Sequence, residues 1–332
     1  MQSRTRRETF INIPETVSPK AQEFLRTLKD PAESPSFPEP GDLEGWKKLQ
    51  GSVERDELAH SQNLVRRYSP LVKECRLGGI PVLDVCPRTW QGDNKLVIYT
   101  HGGAHTMFSA ASTLGRVAMF ADDTGLQVIS VDYTLAPFAK FEEITEQVIS
   151  VISSLLFQGR YLKDIVMYGD SSGGGLAASV ILKMRDLGMG VPGAAILVSP
   201  WVDLTPAGDT DVTLRNADPT YLYEKHGKNA AAAYADPRDQ KNPYASPIYG
   251  DFSKGYPPTL IQGGTKEALL SGFIRLYQAL DVAGMTVKLD IYEGMPHNFA
   301  SKMPEVPESK LARSKIRDFV HRNLIVRQRA AA

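Results

Sequence analysis

The sequence predicts an α/β protein: a mostly parallel sheet with helices on both faces. Three observations lead there. Residues 95–100 (KLVIYT) and 127–132 (QVISVD) are short, β-branched and nearly all apolar, as strands buried on both faces must be. Such runs alternate with segments of helical period, the pattern of strand–helix–strand crossovers. Finally, Gly78-Gly79 between the runs 71–77 and 80–85 is a two-residue turn signal, which makes the sheet mixed by adding an antiparallel hairpin at its start.

The remaining elements follow in order. Strands are expected at 164–168, 193–199, 258–262 and 286–292. Helix 141–157 places Ile144, Val148, Ile149, Ile152 and Leu156 on one face. Helices 171–187 and 269–283 end at Gly188 and Gly284, and 308–324 forms a last helix. Before the strands, residues 1–66 are polar, with amphipathic stretches at 19–28 and 43–65 joined by a proline-rich connector at 31–40. About 50 residues separate the strand ending near Ser199 from the one starting near Pro258, with one clear helix at 221–235. A loop of that length is rare in a compact domain, so it reads as an insertion. Residues 1–66 and 205–250 are therefore expected to form a helical cap over a core of 67–204 and 251–325.

Charge excludes some classes of function. Among 332 residues, 38 basic side chains balance 38 acidic ones, so no one-sided field exists to attract nucleic acid or an anionic membrane. A neutral small molecule is the expected partner. No apolar run approaches the roughly 20 residues of a membrane-spanning helix. The basic stretch Met1–Arg7 is followed by no hydrophobic signal segment. Counting outward from Gly78-Gly79 sets Cys75 opposite Val82 and Cys86 opposite Leu71, so a disulfide needs a register slip; reduced thiols in a cytoplasmic protein are expected. Nothing calls for a cofactor or a metal.

The chemistry centres on Gly169-Asp170-Ser171-Ser172-Gly173. A bare Gly-x-Ser-x-Gly carries little weight. Here a strand runs into it and Gly174-Gly175-Leu176-Ala177 opens a helix behind it, the strand–elbow–helix arrangement of an α/β-hydrolase fold. Such a turn strains the serine backbone, demands small neighbours and aims the hydroxyl above the sheet at a helix N-terminus. A phosphate-binding glycine loop would need a following Gly-Lys-Ser/Thr, which is absent. Ser171 is thus the expected nucleophile. After strand 95–100 comes His101-Gly102-Gly103-Ala104, whose consecutive glycines allow the backbone close to a substrate. Gly103 and Ala104 N–H groups, with that of Ser172, are expected to form an oxyanion hole, Gly102 shaping its turn.

Six histidines could serve as base: His60, His101, His105, His226, His297 and His321. The chain order of this arrangement, Ser then acid then His, selects His297 after the last strand. His101 is expected to hold its loop, His105 to line the pocket or sit in the loop, and the others to lie at the surface or in the cap. The acid should follow strand 258–262, where Glu267 is the one carboxylate. Asp203 is the alternative, its other role being to bind loop N–H groups. Aromatic and sulfur side chains expected in the cap or pocket are Phe24, Phe37, Trp46, Met107, Phe108, Trp201, Tyr221 and Tyr223.

His101-Gly102-Gly103-Ala104 and the elbow occur together with Asp132-Tyr133-Thr134-Leu135-Ala136-Pro137, Ser199-Pro200-Trp201-Val202-Asp203-Leu204, Tyr244-Ala245-Ser246-Pro247 and Gly294-Met295-Pro296-His297. In this combination, spread over residues 70–300, the chain resembles the bacterial hormone-sensitive-lipase-like carboxylesterases. The resemblance implies eight strands, a helical cap, hydrolysis of short-chain esters through an acyl-serine, and a tendency to form homodimers. Two departures stand out: Ala104 replaces the family's usual third glycine, and Lys266-Glu267-Ala268-Leu269 stands where an Asp-Pro-Leu is common. A lactonase, amidase or acyltransferase would use the same triad, and a ligand-binding relative would lack one of its members.

Overall fold

The computed structural model describes residues 12–324; residues 1–11 and 325–332, including the basic stretch Met1–Arg7, lie outside them. Eight strands form one sheet in the order β1-β2-β4-β3-β5-β6-β7-β8. β1 (Leu71–Leu77) and β2 (Ile80–Cys86) form the hairpin, and β2 is antiparallel to β4 (Gln127–Val131) as well. Every other pairing is parallel, through β3 (Leu96–Thr100), β5 (Ile165–Asp170), β6 (Ala194–Val198), β7 (Thr259–Gly264) and β8 (Val287–Tyr292). Gly78 and Gly79 both have positive φ, as the two-residue turn requires. The hairpin register pairs Cys75 with Val82 and Leu71 with Cys86, and both cysteines are free thiols.

Every residue of β3, β4, β5, β6 and β7 is buried. Two clusters, one per face, account for this: Leu96, Ile98, Ile129 and Met167 point to one side, Val97, Val128, Val166 and Ile196 to the other. Each such side chain contributes about 1.5–3 kcal/mol by leaving water. The covering helices are α1 (Pro19–Thr27), α2 (Leu43–Tyr68), α3 (Leu114–Thr124), α4 (Phe141–Phe157) and α5 (Ser172–Asp186), then α6 (Asp209–Thr213), α7 (Lys228–Tyr234), α8 (Leu270–Val282), α9 (Phe299–Lys302) and α10 (Pro307–Leu324). Sequence reading missed α3. Five successive residues of it, Val117–Ala121, are buried, so its apolar period is blurred. The expected helix 221–235 divides into a π-turn, Tyr223–Gly227, and α7.

The N-terminal segment and the insertion meet. The Phe37 N–H donates to Lys225 O, Lys225 Nζ donates to Ala32 O and Ser34 O, and Asn229 Nδ2 to Phe37 O, all within 2.9 Å. From β3 the chain crosses to β4 on one side, then returns to β5 on the other. The C-terminal ends of β3 and β5 therefore flank a switch point, where open parallel sheets leave a crevice.

Candidate active site

Ser171 sits between β5 and α5 with φ 57° and ψ −127°, a conformation rarely occupied by a non-glycine residue. Its neighbours hold it there: the Ser171 N–H donates to Val198 O at 2.8 Å, and Ser171 O accepts from Trp201 N at 2.8 Å. Gly173 must lack a side chain, because a Cβ there would stand 2.0 Å from Thr100 O. The N-terminus of α5 follows directly, so its dipole favours negative charge beside the serine.

His297 follows β8, and its Nδ1 lies 2.7 Å from Glu267 Oε2. Glu267 follows β7 and is fully buried. Its other oxygen, Oε1, accepts from Ser199 Oγ at 2.8 Å and from Gly264 N at 2.7 Å. Three donors around one carboxylate fix its orientation and that of the ring it binds. Asp203 lies elsewhere, accepting from Thr205 N at 3.0 Å and pairing with Arg275 at 2.6 Å. The structure thus brings Glu267, not Asp203, to the histidine.

Gly103 (φ 108°) and Ala104 (φ 54°) turn the loop after β3 toward Ser171. A Cβ on Gly103 would stand 2.3 Å from Met107 O, so only glycine fits there. Neither the Gly103 nor the Ala104 N–H has an acceptor among the described residues. The Ser172 N–H belongs to the first turn of α5, where helical partners are lacking. The Gly102 N–H differs, donating to Asp170 Oδ1 at 3.3 Å. Gly102 therefore shapes the loop, and its donor is not open to a substrate.

These groups converge on one cavity of about 750 Å3, lined by Gly103, Ala104, Ser171 and His297. Its upper wall comes from both cap segments: Pro31, Ser34 and Phe37 on one side, Pro219, Tyr221 and His226 on the other. Met107 and Phe108 line it as well. Trp46 and Trp201 are instead buried in the core, and Phe24 lines a second cavity beside this one. Among the described residues no group of three or more His, Cys, Asp or Glu side chains could hold a metal.

A family model described as alpha/beta hydrolase fold matches residues 97–301, which include Ser171, Glu267, His297 and the loop 101–104. An acetyl-hydrolase of Streptomyces hygroscopicus is 32% identical, over 80% of this chain and 89% of its own. An esterase of Acinetobacter venetianus is 31% identical, over 75% and 81%. The chain belongs to this hydrolase family. Among solved structures, an esterase superposes with a TM-score of 0.87 at 25% identity, covering 94% of this chain and 96% of that one. An esterase of the bacterial hormone-sensitive lipase family gives 0.78 at 26%, covering 92% and 99%.

Asp170, the elbow residue before the nucleophile, is the hub of this hydrolase site. It accepts from Tyr99 Oη at 2.5 Å, Gly102 N at 3.3 Å, Arg116 Nη1 at 3.1 Å and Asn298 Nδ2 at 2.8 Å. Burial opposes the Arg116 charge, but Asp170 and Glu57 outweigh it and raise its pKa. Sequence reading assigned no role to Asn298, Arg116 or Ser199. Ser199 opens a motif already noted and Asn298 directly follows one, whereas Arg116 lies on α3, whose apolar period is blurred. Asp218, from the cap insertion, accepts from the Ala268 N–H at 2.8 Å and so ties the cap to the glutamate loop; burial raises its pKa.

Two histidines of this hydrolase are buried beside the oxyanion loop. His101 stacks on Tyr133, its Nδ1 lies 2.8 Å from Gly102 O, and burial lowers its pKa. His105 does not sit in the wall of the cavity or on an open loop. It is buried against Tyr234 of α7, with ring centroids 3.6 Å apart. Burial, with His101 nearby, lowers its pKa to about 3.

Proposed function

We propose that this chain is a serine carboxylesterase that hydrolyses short-chain carboxylic esters through an acyl-serine intermediate. That it is a carboxylic ester hydrolase follows from the family; the mechanism and the chain length are the proposal. One observation carries it: a strained serine shares a cavity with a histidine whose far nitrogen is held 2.7 Å from a buried glutamate.

In this reading His297 Nε2 takes the Ser171 proton as Oγ attacks the ester carbonyl carbon. The carbonyl oxygen becomes an oxyanion, bound by the N–H groups of Gly103, Ala104 and Ser172; each such donor is worth roughly 100- to 1000-fold in rate. Glu267 holds the imidazole in the needed tautomer and stabilises its cation. The C–O bond to the alcohol breaks, the alcohol leaves with the proton from His297, and the acyl group stays on Ser171. Water then gives a proton to His297 and attacks the acyl carbon, releasing the acid and restoring the serine.

The test uses p-nitrophenyl acetate and butyrate with a fluorophosphonate probe. Wild type is expected to turn over both and to be labelled at Ser171. Ser171→Ala is expected to lose labelling and turnover with its circular dichroism unchanged. Full turnover in that variant would overturn the mechanism.

A further inference from the structure

The chain's overall charge is balanced, yet one ammonium in the wall of its cavity has no ion-pair partner among the described residues. Lys302, at the end of α9 and five residues past His297, lines the same cavity as Ser171. Among the described residues no carboxylate lies within 4.0 Å of its Nζ, and it makes no side-chain hydrogen bond. Glu57, which shares the wall, is bound by Arg116, and Arg116 is bound by Asp170 as well. Asp30 caps the short helix at Pro31–Glu33, and Lys29 and Glu33 are exposed at the cap end. His226 is engaged with Ser34 at 2.9 Å.

Lys302, Glu57 and Arg116 also form the partition to a second cavity of about 500 Å3, which lies under α2 and is lined by His60, Ser61, Asn63 and Leu64. The ammonium therefore stands at the junction of two spaces, open to what enters either. The Lys302 side chain is exposed to solvent at this junction. An unmatched cation in such a place gains from any anion that arrives beside it.

We propose that Lys302 recognises a carboxylate on the substrate, so that the preferred esters carry an anionic group at a distance from the scissile bond. The proposal rests on the esterase reading and names its substrate class. A charge-assisted hydrogen bond is stronger than a neutral one, although water at an exposed site weakens it. It would orient the substrate with its ester over Ser171 and its carboxylate toward α9. The carboxylate could belong to the acyl or the alcohol portion, and two pairs of substrates distinguish these.

The acyl pair is p-nitrophenyl hemiglutarate against p-nitrophenyl valerate; the alcohol pair is acetoxybenzoate against phenyl acetate. For each pair the ratio of kcat/KM, anionic over neutral, is compared among wild type, Lys302→Met and Lys302→Arg. The ratio is expected to fall roughly three- to fivefold in Lys302→Met for one pair, and to stay near the wild-type value in Lys302→Arg. Adding salt should lower the wild-type ratio for the same pair. A fall in the first pair places the carboxylate on the acyl side, a fall in the second on the alcohol side. Unchanged ratios in both pairs, with wild type active on the neutral esters, overturn the proposal and leave the esterase reading intact. No wild-type turnover of any of the four overturns both.

Discussion

Replacing His105 by Phe should make the enzyme less sensitive to acid. The His105 ring is 1% exposed, stacks on Tyr234 at an interplanar angle of 5°, and has no hydrogen-bond partner at either nitrogen among the described residues. Nothing there welcomes a proton, and its pKa falls from 6.5 to about 3. The sign follows from proton binding. Above pH 6.5 the ring is neutral in both folded and unfolded chains and contributes no pH dependence. Between 6.5 and about 3 the unfolded chain gains a proton that the folded one refuses, so stability falls as pH falls. Each pH unit in that window removes about 1.4 kcal/mol, so moving from pH 7 to pH 5 costs about 2 kcal/mol through this residue. Phe keeps an aromatic ring for the stack and meets the same φ of 61°, so any strain it introduces is independent of pH. Urea unfolding of wild type and variant at pH 7 and pH 5 measures the effect. The wild type should lose about 2 kcal/mol more than the variant on acidification. Equal losses would refute the reasoning and show that the folded chain protonates His105 as readily as the unfolded one.

Three further variants test the assignment of the site. Glu267→Gln should lower kcat roughly 10^3- to 10^4-fold, since the carboxylate that orients and stabilises the imidazole is lost. Asp203→Asn should change kcat only a few-fold while lowering stability by about 1–2 kcal/mol, because its partner Arg275 is partly exposed. Steady-state kinetics with thermal unfolding separate the two, and a larger rate loss in Asp203→Asn would reverse their roles. Gly103→Ala should reduce kcat by roughly 100-fold or more and lower the unfolding midpoint as well, because the methyl group would meet the Met107 backbone at a φ strained for alanine and displace the N–H donor. Unaltered kcat in that variant would remove Gly103 from the oxyanion hole.

The sheet was legible because its strands are buried on both faces and leave uninterrupted apolar runs between glycine and proline breaks. That holds for the central strands β3 to β7, whereas β1 and β2 were expected from the Gly78-Gly79 turn between them, which also set Cys75 opposite Val82. Helix α3 was hidden by the same burial, which erased the amphipathic period that marks a surface helix. Within the site, Ser171, Glu267 and His297 could be named because tight turns restrict their neighbours to recognisable residues. Asn298 and Arg116 could not. Their partner Asp170 lies 128 and 54 positions away, and nothing local in either segment records that meeting. The fate of His105 was equally unreadable, because its burial depends on Tyr234 arriving from the insertion.

The convergence on Asp170 has a consequence for how the enzyme comes into being. Its four donors lie on β3, on the loop after β3, on α3 and beyond β8, so the carboxylate is satisfied only when the first and last thirds of the chain have met. Until then Asp170 has its Arg116 charge partner but lacks the Asn298 donor, and the turn beside Ser171 lacks part of its support. A partly folded or truncated chain would carry the right serine without a nucleophile. In the proposed mechanism, reactivity is thus a property of the fully assembled site.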